Sequence, residues 1–173
     1  AGDLAAGERF LKTLTPFVWR KHLDFAAIRD TQDMRQRIRD HKGLHGFTLE
    51  GHNMKLGAGG IREIEFFAQT RQLVAGGRDP DLRVRRTVDA LAALAEKSWV
   101  DPEVTESLTA HYIAHREVEH RLQMIHDAQT HSLPKSPEGF ARLAAFMGEG
   151  DVAAFRAALL ARLHAVDDAC EPF

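Results

Sequence analysis

Lys55-Leu56-Gly57-Ala58-Gly59-Gly60-Ile61-Arg62-Glu63-Ile64-Glu65-Phe66 sets three glycines, two cations and two carboxylates where apolar residues begin to recur at helical spacing. Glycine lets a backbone approach an anion closely, and a helix N-terminus turns unpaired N–H groups toward one. In this pattern Lys55 and Arg62 add positive charge, while Glu63 or Glu65 can hold a divalent cation against phosphate oxygens. The order is not a Walker loop, because no Lys-Ser or Lys-Thr closes it. Nor is it a dinucleotide fingerprint, since no hydrophobic βαβ unit surrounds it. The competing account is a tight connection whose glycines serve only backbone angles. Arg62 then pairs with a neighbouring acid, and Glu63 complements the helix dipole. On a helix Glu65 points away from Glu63; on a strand the two share a face.

Outward from this loop the chain reads as helices. Upstream, Leu4 to Leu14 has helical spacing, Pro16 opens a second helix, and Phe17, Val18, Leu23, Phe25 and Ile28 continue a buried stripe. Thr31 is a plausible N-cap for a charged helix reaching His41, with Asp33 in its first turn. Gly43 and Gly46 break the pattern, and Phe47, Leu49 and Met54 allow a short extended piece. Downstream, Ile61, Ile64, Phe67, Ala68, Leu73 and Val74 predict a helix stopped at Gly76-Gly77. Leu82 to Ala95 marks another, ending near Trp99. Asp101-Pro102-Glu103 starts a long one to about Asp127, with Val104, Leu108, Ile113, Val118, Leu122 and Ile125 on its core face. Phe140, Leu143 and Phe146 predict a short helix stopped by Gly148 and Gly150. Asp151 caps the last, with Val152, Phe155, Leu159, Leu163 and Val166 inward. Short loops between amphipathic helices predict a mainly α, up-and-down bundle.

Composition narrows the function classes. The 173 residues suffice for one core, and 44% hydrophobic with 28% charged residues is ordinary for a globular chain. A net charge of −2 gives no global attraction to nucleic acid or an anionic membrane. The basic clusters Arg35–Lys42 and Arg83–Arg86 have acids interleaved nearby and read as solvated helix faces. One cysteine, Cys170, forms no internal disulfide and no metal site. With no membrane span and no signal-peptide core at the N-terminus, a cytoplasmic protein is expected.

Three separated blocks carry a family resemblance. Asn53–Arg83, NMKLGAGGIREIEFFAQTRQLVAGGRDPDLR, resembles the region just after the nucleotidyltransferase core of glutamine synthetase adenylyltransferase/adenylyl-removing enzymes. Phe10–Ile28, FLKTLTPFVWRKHLDFAAI, is similar to the helical segment before that loop. His115–Pro134, HREVEHRLQMIHDAQTHSLP, is similar to the long helix and turn after it. Together KLGAGGIREIEF and QTHSLP look more like the N-terminal, deadenylylating half. A start at Ala1, already inside helical spacing, agrees with a fragment of a longer enzyme. The resemblance implies that 1–60 is the remnant of a largely absent nucleotidyltransferase domain, ending in the Gly-rich loop, and 61–173 a helical bundle domain. It implies ATP with Mg2+ or Mn2+ for adenylylation of glutamine synthetase. Removal would be phosphorolytic and release ADP, under control by a PII signalling protein and glutamine. By position, Lys55, Gly57, Gly59, Gly60 and Arg62 would contact phosphate or support the groups that do. Glu63 would be a catalytic, metal-binding carboxylate, with Glu65 as the alternative ligand.

The family needs a close Asp pair on a catalytic sheet, and Asp79-Pro80-Asp81 fits only superficially, because it follows Gly76-Gly77-Arg78 in a turn. Without that pair the fragment alone is expected to be inactive. His111, His115, Glu119 and His120 share a helix face, but one helix without cysteine reads better as a half-buried polar row than as a metal site. Gln129–Pro134 reads as a helix end whose side chains satisfy the last carbonyls. Trp19 and Trp99 read as core anchors. Two alternatives to the adenylyl enzyme stand: a relative that uridylylates PII, and a non-catalytic helical module docking glutamine synthetase or PII.

Overall fold

The computed structural model describes residues 2–21, 29, 30, 33, 37 and 47–170. Among them are six α-helices and one 3-10 turn: α1 Leu4–Val18, α2 Ile61–Ala75, the turn Pro80–Leu82, α3 Thr87–Glu96, α4 Pro102–His126, α5 Pro137–Met147 and α6 Val152–Cys170. The mainly α bundle holds. The extended segment before the Gly loop is no strand: Asn53 makes one isolated antiparallel bridge with Ser132. No described helix is long and apolar enough to cross a membrane. Leu23, Phe25, Ile28, Thr31 and the 38–46 stretch lie outside the described residues, as does most of Arg35–Lys42.

Five helix starts and stops follow local chemistry. Asp101 accepts from the Glu103 N–H at 2.8 Å, with Pro102 at the first helical position. Ser136 accepts from Gly139, and Asp151 from both Ala153 and Ala154. Asp127 at φ 44° and Gly148 at φ 81° end α4 and α5 in the left-handed region. One core cluster forms where α4, α5 and α6 meet. Val118 and Leu122 of α4, Phe140 and Leu143 of α5, and Leu159 and Leu163 of α6 pack with Leu49 and Met54 from before the loop. A second cluster joins Ile64 and Phe67 to Leu91, Leu108 and Val166.

Several expectations fail for identifiable reasons. Pro16 does not open a new helix: α1 runs on to Val18 with Pro16 in its last turns, where only the Lys12 carbonyl loses its N–H partner. The stripe predicted to be buried there is exposed, Phe17 at 68% and Val18 at 38%, and α1 buries no residue. Helix α3 starts at Thr87 rather than Leu82. The buried Gln72 amide donates to the Leu82 and Val84 carbonyls, at 2.6 and 2.9 Å, and so holds that segment off the helical path. Ile113 is 55% exposed because it lies five residues beyond buried Leu108, about 140° round the helix. Phe146 is also largely exposed. Trp99 is no core anchor: left-handed Ser98 turns the chain at the end of α3 and leaves the indole half exposed. Trp19 does anchor, half-buried against Gly76, where any Cβ would come within 2.8 Å of its ring.

Gln129–Pro134 also departs from the helix-end reading. The α4 end is closed by backbone, with the Ala128 N–H donating to the Gln123 carbonyl. The segment instead pairs with the approach to the Gly loop. Met54 N–H donates to the His131 carbonyl at 2.8 Å, and Leu133 N–H to the His52 carbonyl at 2.8 Å.

Candidate functional site

The Gly loop is a closed hydrogen-bonded unit. Asn53 starts it: its side-chain oxygen accepts from the Lys55 and Leu56 N–H groups at 3.0 and 2.9 Å, an Asx turn. Gly57 N–H donates to the Asn53 carbonyl, and Gly60 N–H to the Gly57 carbonyl. The first amides of α2 are then consumed, Ile61 on the Met54 carbonyl and Arg62 on the Lys55 carbonyl, both at 2.9 Å. Glu63 N–H donates to the Gly60 carbonyl. The Glu63 carboxylate, 5% exposed, reaches back to accept from the Gly59 N–H at 3.2 Å, in the manner of a capping box. The donors that a helix N-terminus would offer to an anion are therefore spent on the protein itself.

Packing explains the glycines. Gly59 has φ +67°, and a Cβ there would lie 1.9 Å from the Leu163 carbonyl oxygen of α6. At Gly57 a Cβ would meet the Asn53 carbonyl and the His52 ring, both at 2.6 Å. The loop thus sits directly on a helix backbone.

Beneath it lie two buried histidines. His115, fully buried, donates through Nε2 to the Gly59 carbonyl at 3.1 Å. Burial, then the positive field of Arg162, pushes its pKa down to about 3. Burial likewise lowers His52, opposed by its contact with the Ala58 backbone. His52 had no place in the sequence reading, and His115 entered it only in the polar row of α4, not at the loop. The usable signal was spacing: His115 falls on the α4 face of Leu108, Val118 and Leu122.

Glu119 is a further buried polar group. At 1% exposure it lies 2.6 Å from His131 Nδ1 and 2.8 Å from Arg116 Nη1. It fixes the Gln129–Pro134 segment that in turn holds Met54. Of the α4 row, His115 and Glu119 are buried, His111 is half-buried and His120 is exposed. Among the described residues no group of three His, Cys, Asp or Glu side chains could hold a metal ion.

The predicted site residues divide. Lys55 is half-buried beside the loop and makes no ion pair among the described residues. Arg62, 43% exposed, pairs with Glu65 at 3.6 Å. Glu63 turns into the loop, while Glu65 turns toward Arg62 and the Tyr112 hydroxyl, 3.5 Å away. Both glutamates lie on one helix, two positions apart, and diverge. They do not form a joint cage for Mg2+ or Mn2+, which wants several oxygens converging on one point. Asp79 and Asp81 belong to the 3-10 turn: Asp79 caps it, and both carboxylates face Lys97, at 3.5 and 2.7 Å.

Residues 31–173 match the family model of the GlnD PII-uridylyltransferase. Curated relatives carry the name bifunctional glutamine synthetase adenylyltransferase/adenylyl-removing enzyme. That of Agrobacterium fabrum is 57% identical over 90% of this chain, and that of Xanthobacter autotrophicus 56% identical over 96%. The Rhizobium meliloti protein is 53% identical over 96%. The chain spans only 16–17% of the length of these relatives. With the loop, the long α4 and the segment after it all inside the matched region, the chain belongs to the GlnD PII-uridylyltransferase family and is similar to one segment of the adenylyltransferase/adenylyl-removing enzymes.

Proposed function

We propose that this chain is the helical part of a nucleotidyltransferase that adenylylates and deadenylylates glutamine synthetase, and so works in the control of nitrogen assimilation. The observation that carries the reading is identity of 57% and 56% to enzymes of that name across 90–96% of the chain. The substrates would be ATP for addition, and phosphate, released with AMP as ADP, for removal. PII and glutamine would act as regulators of the parent protein in the cytoplasm.

In this reading the loop is a rigid support, and its side chains do the electrostatic work. Lys55 and Arg62 are the cations at the loop. They steady phosphate charge as it moves between donor and acceptor oxygens. Gly59 supports them by letting the loop rest on α6, and Gly57 and Gly60 by letting the loop close on itself. Glu63 locks the loop in place through the Gly59 amide. Because the two carboxylates diverge, one of them, Glu63 or Glu65 as the alternative, would complete a metal shell supplied by an acidic pair outside this chain. Alone, without an Asp-x-Asp pair on a sheet, the chain is inactive.

The family model matched by 31–173 favours one second reading, uridylyl transfer to PII. One experiment tests both. Lys55→Ala in the full-length parent is assayed with ATP and glutamine synthetase, with phosphate and the adenylylated synthetase, and with UTP and PII. The expected result is a loss of roughly 10- to 100-fold in the two glutamine synthetase reactions with the fold intact. Full activity in the variant removes Lys55 from the site. Turnover confined to UTP and PII replaces the first reading with the second.

A further inference from the structure

The outward side of α4 is unlike a solvated helix face. Ile113 is 55% exposed and Met124 62% exposed. Eleven residues separate them, close to three full turns, so they lie on one line about 16 Å apart. Phe146 of α5, 42% exposed, continues that line beside Met124. Two open grooves follow it. One, of 570 Å³, runs between the start of α3 and α4; the other, of 390 Å³, lies between the ends of α4 and α5. They meet at Met124, which lines both.

Charge sets the occupant. The two grooves are lined by Arg86, Arg116, Arg121 and Arg142 against a single acid, Glu117. Four minus one gives +3, in a chain whose net charge is −2. Two of the arginines make long, exposed ion pairs among the described residues, Arg86–Asp89 at 3.6 Å and Arg121–Glu117 at 3.7 Å, and Arg121 also lies over the Phe146 ring at 5.2 Å. Exposed pairs of that kind are weak and easily exchanged. Arg116 is tied to Glu119, which is buried and turned inward. An apolar line three turns long with a cationic rim matches one recognition mode, a helix laid in a groove with anchors at helical spacing.

We propose that this face docks an amphipathic helix of another protein whose flanks are acidic. A second copy of the chain fits less well. Among the described helices α1 alone buries no residue, and its single acid, Glu8, set against Arg9 and Lys12, offers no net negative charge. The inference stands apart from the nucleotidyl-transfer reading, since neither groove includes Lys55, Gly57–Gly60 or Glu63.

The test uses the chain with two fluorescent helical peptides, identical in a leucine stripe and differing only in glutamate or lysine flanks. Anisotropy should show the glutamate peptide binding at least about 10-fold tighter, with the difference shrinking as salt rises. Met124→Asp, at an exposed position that leaves the fold intact by circular dichroism, should abolish binding. Arg121→Glu should narrow or reverse the preference. Equal binding of both peptides, binding of neither, or binding untouched by Met124→Asp overturns the proposal. So does a concentration-dependent dimer in sedimentation that Met124→Asp dissolves, because the face then belongs to a second copy.

Discussion

Helices α1 and α6 carry similar apolar stripes and meet opposite fates. In α1, Leu4, Leu11 and Val18 recur every seventh residue, with Phe10 and Phe17 alongside, and none is buried. In α6, Phe155, Leu159, Leu163, Val166 and Cys170 recur every third or fourth residue, and all are buried. Periodicity states that a face is suited to a dry surface; it does not state where that surface is. For α6 the partners are α2, α4 and α5, and the contact is close enough that Gly59 touches the helix backbone. For α1 the described residues supply only the anchoring of its tail, Trp19 against Gly76 and the Lys21 carbonyl accepting from Arg78.

The same substitution on both helices should separate them most widely. Phe155→Ala removes a ring packed in the core and should cost about 3–5 kcal/mol in urea unfolding. A cost below 1 kcal/mol would mean that α6 docks loosely and that the contrast is false. A smaller effect is expected at the contact between loop and α4. His115 is held neutral when folded, with its pKa near 3, but takes a proton near 6.5 when unfolded. Its contribution is complete above pH 6.5 and is lost as pH falls toward 3, because only the unfolded chain binds the proton. The slope from this group is at most about 1.4 kcal/mol per pH unit. Replacing it by His115→Gln should flatten unfolding free energy between pH 6.5 and 5; an unchanged slope would assign the pH dependence elsewhere. The least effect belongs to α1. Phe17→Ala should change stability by no more than about 0.5 kcal/mol, and a larger loss would reveal a partner for that face.

Much of this was legible in the sequence because it is local. Asp101-Pro102, Asp151, Gly148 and Gly76-Gly77 mark helix ends through groups a few residues away, and the helical spacing of α2, α4 and α6 names most of the core. The turn at Asp79-Pro80-Asp81 was legible for the same reason. The closed state of the Gly loop was not. It depends on Leu163 beneath Gly59, on His115 from α4 and on the His131 carbonyl, none of which is near the loop in sequence. Glycine after glycine at a helix start reads equally as an open anion cradle or as a tight connection. Here the same glycines permit close packing, and the amides that would form the cradle are bonded within it. Ile113, Trp99 and Phe17 failed for the complementary reason: hydrophobicity predicted burial, and the helix face or turn geometry decided against it.

The central claim is that this loop is a rigid support whose amides are already satisfied. Amide hydrogen exchange of Gly57, Gly59, Gly60, Ile61 and Arg62, followed in the chain with and without Mg2+ and ADP, tests it most directly. The account predicts protection close to that of the α4 core, unchanged when the nucleotide is added. Fast exchange in the free chain, slowed on adding ADP, would contradict it and restore the loop amides as the anion site.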